Sequence, residues 1–281
     1  MTLKAIAVAS GYTKSSVTSQ RFTPNIPSGT LVWSDEFSNS TGANAAPDPK
    51  VWTYDTGNSG FGNQELEHYC TWGSMTSPCD AASPNAYTDT NGILHIVARP
   101  PSAGVYTSAR LKTQGLFSFQ YGRVEARMKL PEGQGMWPAF WALGSNIATI
   151  DWPACGEIDV MEHIDGSNPK NDGYDWVQGS LHGVGYDTGT QYHPSGFSAT
   201  DWHTYGVTWT KGQIQFYIDD PGNVYATNTP SSVASGTWPF DSGPQFLLLN
   251  LAVGGNWPGS PDGTTVFPSE VQVDYVRIYT N

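Results

Sequence analysis

Glycine and proline recur along the whole of this chain and leave little room for any long regular element. The 281 residues include 31 glycines and 20 prolines, which are distributed over the chain instead of being concentrated in one linker. Both residues favour turns and end helices and strands, so this spacing is typical of many short strands. No segment offers a long apolar stripe at helical spacing. The sequence therefore predicts an all-β protein.

The segments between the turns alternate apolar and polar side chains. After Gly122, the even-numbered residues of the segment 122–130 are apolar and the odd-numbered ones are charged. The segments 93–98, 202–209, 212–218 and 271–279 show the same alternation, which predicts half-buried strands. We expect these strands to form a sandwich of two antiparallel sheets, a fold that reaches this size without dividing.

The chain is expected to contain one domain. Residues 1–25 are rich in Ser and Thr and lack periodicity, so they are interpreted as an N-terminal tail or an edge extension. Residues 26–281 are assigned to the domain. No internal repeat of the length found in solenoids or propellers is visible.

The charge of the chain argues against two classes of partner. Its 25 acidic and 13 basic residues give a net charge of −12, whereas nucleic acid and anionic membranes attract basic surfaces. Aromatic residues make up 13% of the chain and charged residues only 14%. Exposed aromatic rings are therefore the expected means of ligand recognition. We expect a monomer with neither nucleic acid nor a membrane as partner.

The apolar stretches of the chain are too short for a membrane-spanning helix or a secretory signal. The apolar run 246–253 is far shorter than the roughly 18 residues of a membrane-spanning helix. The apolar segment 5–9 is too short for the core of a secretory signal, so export is not read from this end of the sequence.

Cys70 and Cys79 lie close together in a loop and would form a disulfide in an oxidising compartment, which leaves Cys155 as a free thiol.

Three acidic residues in an apolar segment are the strongest candidate for a reactive site. The segment 156–163 reads GEIDVMEH and carries Glu157, Asp159 and Glu162. On a regular strand Glu157 and Asp159 share one face, and Glu162 points to the other. A β-bulge at 160–161 would absorb one residue and return Glu162 to the face of the other two carboxylates.

Carboxylates that share one face repel each other, which raises the pKa of at least one of them. One group can then stay protonated near neutral pH while another is ionised. This division of roles matches glycoside hydrolysis, in which one carboxylate attacks the anomeric carbon and another first protonates the leaving oxygen and then activates water. The alternatives are a solvated strand face and a calcium site of clustered oxygens. The apolar neighbours of the three acids favour catalysis.

The segment 157–162 closely resembles the active-site sequence of family 16 glycoside hydrolases. With Met161 as one extra residue, it is similar to that of the laminarinases, which are bacterial endo-β-1,3-glucanases; the version without this residue marks the lichenases. Further matching segments extend over nearly the whole domain, at 31–37, 62–69, 106–110, 119–127, 135–144 and 273–279. The resemblance implies a β-jelly-roll sandwich with a concave substrate cleft.

By position, the resemblance implies that Glu157 is the nucleophile and Glu162 the acid/base, and that Asp159 orients and tunes Glu157. The implied activity is that of a secreted, retaining endo-β-1,3-glucanase acting on laminarin-like glucans by double displacement, without a cofactor. Mixed-linkage β-1,3-1,4-glucan is a further candidate substrate. The alternatives are a lichenase or another polysaccharide hydrolase of the family, and a β-glucan-binding protein without activity. Retention of all three carboxylates argues against the last.

Tryptophans are the candidates for sugar stacking, because the apolar face of a pyranose packs well on indole. Trp137 and Trp141 differ by four positions and would share one strand face. The resemblance places both beside the cleavage point, and core packing is the alternative for each. Trp257 lies in a glycine-rich loop, where an aromatic ring is well placed to meet a glucan.

The resemblance also implies polar contacts with sugar hydroxyls. Asn63 and Arg110 match positions on the non-reducing side, with a turn and a surface ion pair as their structural alternatives. His182 matches a histidine near the leaving group, and a core or solvated histidine is the alternative. His163 should face away from the catalytic side, by alternation with Glu162.

A structural calcium ion is implied by the resemblance as well. Its ligands would be Glu36, the carbonyl of Gly92 and Asp274. The alternative is that Asp274 pairs with a neighbouring cation.

Overall fold

The structure is a computed structural model, and it describes residues 2–5, 18–21, 27–38, 42–165, 173–233 and 236–281. For the first two of these ranges only the backbone is described. Within this part of the chain there are nineteen strands, one four-residue α-helix and one 3-10 helix. The strands are Thr2–Ala5 (β1), Thr18–Arg21 (β2), Leu31–Asp35 (β3), Thr53–Asp55 (β4), Glu67–Tyr69 (β5), Ala86–Thr88 (β6), Leu94–Ser102 (β7), Val105–Ser108 (β8), Arg110–Lys112 (β9), Gly122–Lys129 (β10), Met136–Gly144 (β11), Glu157–Glu162 (β12), Val177–Gly183 (β13), Tyr186–Tyr192 (β14), His203–Thr210 (β15), Gln213–Ile218 (β16), Val224–Asn228 (β17), Gln245–Val253 (β18) and Ser269–Tyr279 (β19). The helices are Ile147–Ile150 (α1) and the 3-10 turn Pro230–Val233.

Two sheets contain seventeen of these strands. The larger sheet has the order β17-β16-β15-β10-β19-β7-β8-β5, with β3 paired to β19 and β6 paired to β7. The smaller sheet has the order β14-β13-β12-β11-β18-β9-β4. Paired strands are antiparallel except for β5 and β8, which run parallel. The predicted all-β fold of two packed sheets is confirmed, with this one parallel pair as an addition.

The two remaining strands, β1 and β2, pair with each other in antiparallel fashion. Most of residues 1–26 lie outside the described residues, including most of the apolar segment 5–9. The division of the chain into a tail and a domain therefore stays a prediction.

The core lies between the two sheets and follows the predicted alternation. In β10, Val124, Ala126 and Met128 are fully buried, as the pattern of 122–130 predicts. Glu125 on the opposite face is also buried, where it accepts a hydrogen bond of 2.6 Å from the Tyr217 hydroxyl. Buried apolar residues on facing strands exclude water, and this is the main source of stability of such a sandwich.

The smaller sheet has a second face, directed away from this core. Here Leu143 of β11 and Leu248 of β18 belong to a small apolar cluster that also includes Cys155 of the loop before β12, with Ile147 of α1 packed against it. The cluster supports one end of the face on which the acidic residues of β12 lie.

The disulfide between Cys70 and Cys79 is present, and Cys155 is buried as a free thiol, so the predicted pairing is confirmed. Among the described residues, no helix has the length and apolar character needed to cross a membrane.

Candidate active site

A β-bulge in β12 brings the three acidic side chains to one face. Trp141 of β11 lies opposite Asp159, but its neighbour Phe140 lies opposite Met161, so Val160 is the extra residue. Val160 and Met161 both point into the core. Because two consecutive side chains are directed inward, Glu162 returns to the face of the other carboxylates. The bulge predicted at 160–161 is confirmed.

The acidic residues line an open cavity of about 630 Å³ on the outer face of the smaller sheet. All nine residues proposed from the sequence for catalysis and substrate binding line this cavity: Asn63, Arg110, Trp137, Trp141, Glu157, Asp159, Glu162, His182 and Trp257. Six strands of the sheet and the loops 61–65, 152 and 257 contribute to it. Residues far apart in the sequence thus form one cleft.

Glu157 lies between an indole and an imidazole. The Nε1–H of Trp152 donates a hydrogen bond of 3.0 Å to Oε2 of Glu157. The Nε2 atom of His182 is 3.8 Å from Oε1 of Glu157 and 2.8 Å from Oδ2 of Asp159, and its Nδ1 is 3.3 Å from Oδ1 of Asp187. Trp152 thus holds one oxygen of Glu157, while His182, itself held by Asp159, lies near the other.

Glu162 has a separate set of donors. Its Oε1 accepts a hydrogen bond of 3.1 Å from the Nε1–H of Trp137, and its Oε2 accepts one of 3.1 Å from the hydroxyl of Ser180. Each of the two glutamates therefore receives one indole N–H. Donors of this kind fix the orientation of a carboxylate without adding a charge to the site.

Burial keeps protons in this cluster near neutral pH. Burial, followed by the charge of Asp159, raises the pKa of Glu157 to about 8. Burial raises the pKa of Glu162 to about 7, and His182 acts against this rise. The pKa of Asp159 is also raised well above its usual range, by burial and by the charge of Glu162. Because the pKa of Glu157 lies above that of Glu162, the proton favours Glu157 in the ligand-free protein, and the catalytic roles predicted from the sequence require bound substrate to reverse this order.

The aromatic residues differ in how much of their surface they expose. Trp137 stands at the cavity wall in an edge-to-face contact of 5.4 Å with Trp257. Trp141 shares its strand face, as predicted, but is only 8% exposed. The guanidinium of Arg110 covers its ring at 4.6 Å, and its Nε1–H donates a hydrogen bond of 2.8 Å to Asn250. Trp141 thus presents little free ring surface, because Arg110 already occupies one face.

The polar candidates at the same end of the cleft have protein partners. Arg110 Nε is 3.0 Å from Asp55 Oδ2, which fits the structural alternative of an ion pair while the side chain also lines the cavity. The side-chain amide of Asn63 donates a hydrogen bond of 3.2 Å to Glu65. His163 is buried away from the cavity, as predicted, with its Nδ1 3.0 Å from the carbonyl of Trp176.

Several residues of the site were not identified from the sequence. Trp152 is 53% exposed and contacts Glu157, and its only local signal is a loop position just before the acidic segment. Asn250 interrupts the apolar run 246–253, and a lone polar residue in a buried strand was a usable signal. Ser180 has no such signal, because it reaches Glu162 only through the pairing of β12 with β13.

The side chains predicted to bind calcium are engaged elsewhere. Glu36 accepts two hydrogen bonds from Arg277, at 2.9 and 2.8 Å, and Asp274 accepts one of 2.7 Å from Arg127. A Cβ on Gly92 would lie 3.2 Å from the Glu36 carbonyl oxygen, so these two segments do meet. As arranged, the side chains do not fit a calcium site, because both carboxylates are neutralised by arginines.

Within the described chain, one group of three side chains has ligand atoms near enough to share a metal ion. These are Glu157, Asp159 and His182, whose ligand atoms lie within 4.8 Å of one another. The imidazole makes this a mixed nitrogen and oxygen set, whereas calcium prefers six or more oxygens. The calcium alternative for the acidic segment is therefore not supported by its partners.

Comparison with known proteins gives one consistent family. The sequence model of "Glycosyl hydrolases family 16" matches residues 68–277. The chain is 41% identical over 262 residues to a "Beta-glucanase" of Rhodothermus marinus, a match that covers 89% of this chain and 84% of the relative.

Solved structures give the same result. The catalytic domain of an endo-1,3-beta-glucanase (laminarinase) from Thermotoga petrophila RKU-1 superposes with a TM-score of 0.77 at 38% identity, over 91% of this chain and 99% of that one. The endo-beta-1,3-glucanase from Pyrococcus furiosus superposes with a TM-score of 0.75 at 39% identity, over 89% of this chain and 94% of that one.

Proposed function

Because the chain belongs to glycosyl hydrolases family 16, we propose that its cleft hydrolyses internal β-1,3 bonds of laminarin-like glucans with retention of configuration. The observation that carries this proposal is the bulge of β12, which directs Glu157, Asp159 and Glu162 into one open cavity. The protein is an enzyme of the β-glucanase and laminarinase type. The assignment of individual residues to its steps is the proposed part.

The first step needs an ionised Glu157 and a protonated Glu162. The carboxylate of Glu157 attacks the anomeric carbon while Glu162 gives its proton to the glycosidic oxygen, so the bond between that carbon and oxygen breaks and an ester with Glu157 forms. The leaving oxygen accepts a hydrogen bond only from the protonated form of Glu162, which favours the proton at that position when glucan is bound. Trp152 keeps its hydrogen bond to Glu157 and favours the anion there.

The second step uses the same groups in reverse. Glu162, now ionised, takes a proton from water, and the resulting hydroxide attacks the anomeric carbon and releases Glu157. Two inversions at one carbon give net retention. His182 lies near Oε1 of Glu157 and is held by Asp159, and in this proposal the two hold Glu157 in line with that carbon. Catalysis needs no cofactor, because carboxylates carry every proton and bond change.

The substrate-binding roles follow from position in the cleft. Trp137 and Trp257 offer ring surface at the cavity wall, where a pyranose face can stack. Asn63 and Arg110 supply donors at the far end, and His182 supplies one beside Glu157. We place the protein outside the cell as a monomer, since a glucan polymer is too large to enter one and the cleft is complete within one chain.

The experiment that tests the function is product analysis over a panel of polysaccharides. Laminarin, lichenan, mixed-linkage β-1,3-1,4-glucan, agarose and xyloglucan are incubated with the enzyme, and the products are followed by mass spectrometry and anomeric proton NMR. Laminarin should give oligosaccharides whose first-formed anomer is β. Products that first appear as the α-anomer would contradict the retaining mechanism, and hydrolysis of agarose alone would contradict the substrate.

The alternative from another class is a glucan-binding protein without activity. Such a protein would bind laminarin in a pull-down yet release no reducing sugar over many hours. Three carboxylates with raised pKa values in an open cleft favour the enzyme, because a binding surface gains nothing from buried acids that retain protons.

Binding of calcium at Glu36, Gly92 and Asp274 stays a prediction. The ion would have to displace Arg277 and Arg127 from the two carboxylates. Thermal unfolding measured with calcium and then with a chelator tests this. A melting temperature that is the same in both solutions would contradict the prediction.

A further inference from the structure

A second pair of buried acids lies at the end of the cleft opposite to His182. Glu65 and Glu67 precede and begin β5, and they are 9% and 0% exposed. Neither acid has a lysine or arginine as an ion-pair partner among the described residues. Two acids without a cation cannot both stay ionised inside a protein, so their hydrogen bonds have to show where the proton is.

Glu65 has the environment of an ionised carboxylate. Its Oε1 accepts a hydrogen bond of 3.2 Å from the side-chain amide of Asn63. Its Oε2 accepts one of 2.9 Å from the hydroxyl of Tyr69. Both of these partners are donors in this arrangement, so both oxygens of Glu65 act as acceptors.

Glu67 has the environment of a carboxylic acid. Its Oε2 accepts a hydrogen bond of 2.6 Å from the backbone N–H of Val253, while Oε1 is buried and receives no donor from the described residues. Glu65 lies close enough for its charge to raise the pKa of Glu67. Both partners of Glu65 are donors, which suits a carboxylate that still has lone pairs to accept a further hydrogen bond, whereas Oε1 of Glu67 has no donor. The proton therefore belongs to Glu67.

Glu65 is also the end of a chain of hydrogen bonds that begins in the cleft wall. The Nε1–H of Trp141 donates to Oδ1 of Asn250 at 2.8 Å. The amide of Asn250 donates to the Tyr69 hydroxyl at 3.3 Å, and that hydroxyl donates to Glu65. Every donor in this chain points the same way, toward the carboxylate of Glu65. The chain joins β11 and β18 of the smaller sheet to β5 of the larger one.

We propose that Glu67 is a protonated carboxylic acid which, by donating to Glu65, positions Trp141 and Asn63 in the substrate cleft. Glu67 touches no substrate in this arrangement and acts through Glu65, so it is a positioning residue. The inference rests on the proposed function only for its effect on glucan binding. The placement of the proton rests on the burial and the hydrogen bonds of the two acids and does not depend on the function.

The arrangement makes the cleft sensitive to alkaline pH. Burial, followed by the charge of Glu65, raises the pKa of Glu67 to about 8. The other ionisable groups that bear on this pair are Tyr69, which contacts Glu65, and Arg110, whose charge reaches Tyr69. Above pH 8 Glu67 loses its proton, and two buried negative charges then repel each other. Glu65 moves, and Tyr69, Asn250 and Trp141 lose their common anchor.

The proton is tested by infrared spectroscopy of the whole protein. Glu67→Gln keeps a donor for Glu65 and an acceptor for Val253, and it should remove one protonated-carboxyl stretching band at pH 7. The matched control is Glu125→Gln, since Glu125 is equally buried but is paired with Arg123 at 3.1 Å and accepts from Tyr217. The control should leave that band intensity unchanged. Equal intensity in wild type and Glu67→Gln would overturn the proposal.

The positioning effect is tested by NMR and kinetics between pH 7 and 9.5. The indole N–H resonance of Trp141, assigned with Trp141→Phe, should move above pH 8 in wild type and stay constant in Glu67→Gln. Tyr69→Phe removes the two hydrogen bonds of the hydroxyl, to Glu65 and from Asn250, and should raise KM for laminarin about fivefold with little change in kcat. Wild type should show a rise in KM of the same size above pH 8, which Glu67→Gln abolishes.

The two kinds of failure are distinguishable. If laminarin is not hydrolysed by wild type, the proposed function is wrong, while the infrared band and the Trp141 resonance still decide the role of Glu67. A Trp141 resonance that ignores both pH and Tyr69→Phe overturns the positioning role. The positioning role is also overturned if KM for laminarin changes with pH in the same way in wild type and in Glu67→Gln.

Discussion

The carboxylates of β12 and the pair Glu65–Glu67 are both buried and both hold protons near neutral pH, yet they face different partners. Glu157 and Glu162 receive hydrogen bonds from Trp152, Trp137 and Ser180, which all line the open cleft or its floor. Glu67 is fully enclosed, accepts a hydrogen bond from the backbone N–H of Val253 and lies within reach of the charge of Glu65. Burial raises the pKa of the first group to about 8 and 7, and that of Glu67 to about 8.

The comparison separates two consequences of burying an acid. A raised pKa shows only that an acid retains its proton near neutral pH, and this holds for the acids of β12 as well as for Glu67. Chemistry requires in addition that a substrate atom can reach the carboxyl group. The acids on β12 meet this condition because the bulge directs them into the cavity, whereas Glu67 can act only through its neighbours.

The largest expected effect is the loss of hydrolysis in Glu157→Gln. Loss of a nucleophile should lower kcat on laminarin by about 10⁴-fold or more, because the ester with Glu157 cannot form. Glu67→Gln at pH 7 should cost less than about tenfold, since no bond to the substrate changes there. Initial rates of reducing-sugar release measure both. Equal losses in the two variants would remove the distinction between the two groups of acids.

Glu162→Ala should lower kcat by about 10²–10⁴-fold, the usual contribution of general acid/base catalysis. On an aryl glucoside with a good leaving group, added azide should restore turnover, because a small anion can fill the space and attack the ester directly. The product should then be the β-glycosyl azide. Absence of rescue, with the variant shown to be folded by circular dichroism, would count against Glu162 as the acid/base.

Replacing an acid of either group by glutamine should change the pH dependence of the free energy of unfolding in the same direction. Burial raises the pKa of Glu157 from 4.5 to about 8 in the folded state, so the folded protein keeps a proton that the unfolded chain releases in this interval. Stability therefore falls as the pH rises from about 4.5 to 8. Glu157→Gln should raise the free energy of unfolding by about 4 kcal/mol at pH 8 and by less than about 0.5 kcal/mol at pH 4.5.

Denaturant titrations at pH 4.5 and 8 measure this gain, and Glu67→Gln should show a gain of the same sign. A variant at Glu157 that is stabilised equally at both pH values would mean that the carboxyl is ionised in the folded protein. The two groups would then differ already in their protonation and not only in their access to substrate.

The smallest expected effect is the loss of one hydrogen-bond donor to a carboxylate. Trp152→Phe removes the N–H that reaches Glu157 and should lower kcat about tenfold, with KM changed less, because a hydrogen bond to a charged group is lost at the reacting atom. Tyr69→Phe should do the opposite and change mainly KM. The matched control is Trp72→Phe, an indole 44% exposed whose N–H bonds to the carbonyl of Asn44. A fall in kcat with Trp72→Phe would show that the effect is not specific to the cleft.

Local patterns in the sequence predict much of this molecule. Alternation along 122–130 identifies β10 and its buried face, and the odd spacing of Glu162 predicts the bulge in β12. The four-residue spacing of Trp137 and Trp141 predicts their common face. In each case the information lies within one strand, whose side chains alternate by geometry alone.

Contacts between distant segments were not predictable in the same way. Tyr69 and Asn250 are 181 positions apart and meet only because β5 and β18 belong to sheets that pack together. The burial of Trp141 under Arg110 likewise depends on the pairing of β18 with β9. For Glu36 and Asp274, the arginines that neutralise them come from neighbouring strands, and acidic residues by themselves do not indicate whether they bind a metal ion or a cation of the protein.

The bulge of β12 also bears on how a gene for such a protein can change in length. Losing one residue from a strand normally turns every later side chain to the opposite side of the sheet. Between Asp159 and Glu162 this does not happen, because Val160 and Met161 both point inward. Deletion of one codon here would place the three acids at every second position of a regular strand, still on the cleft face. The distance along the strand between Asp159 and Glu162 would shorten by about 3.3 Å. The segment tolerates that change of length without inverting the cleft.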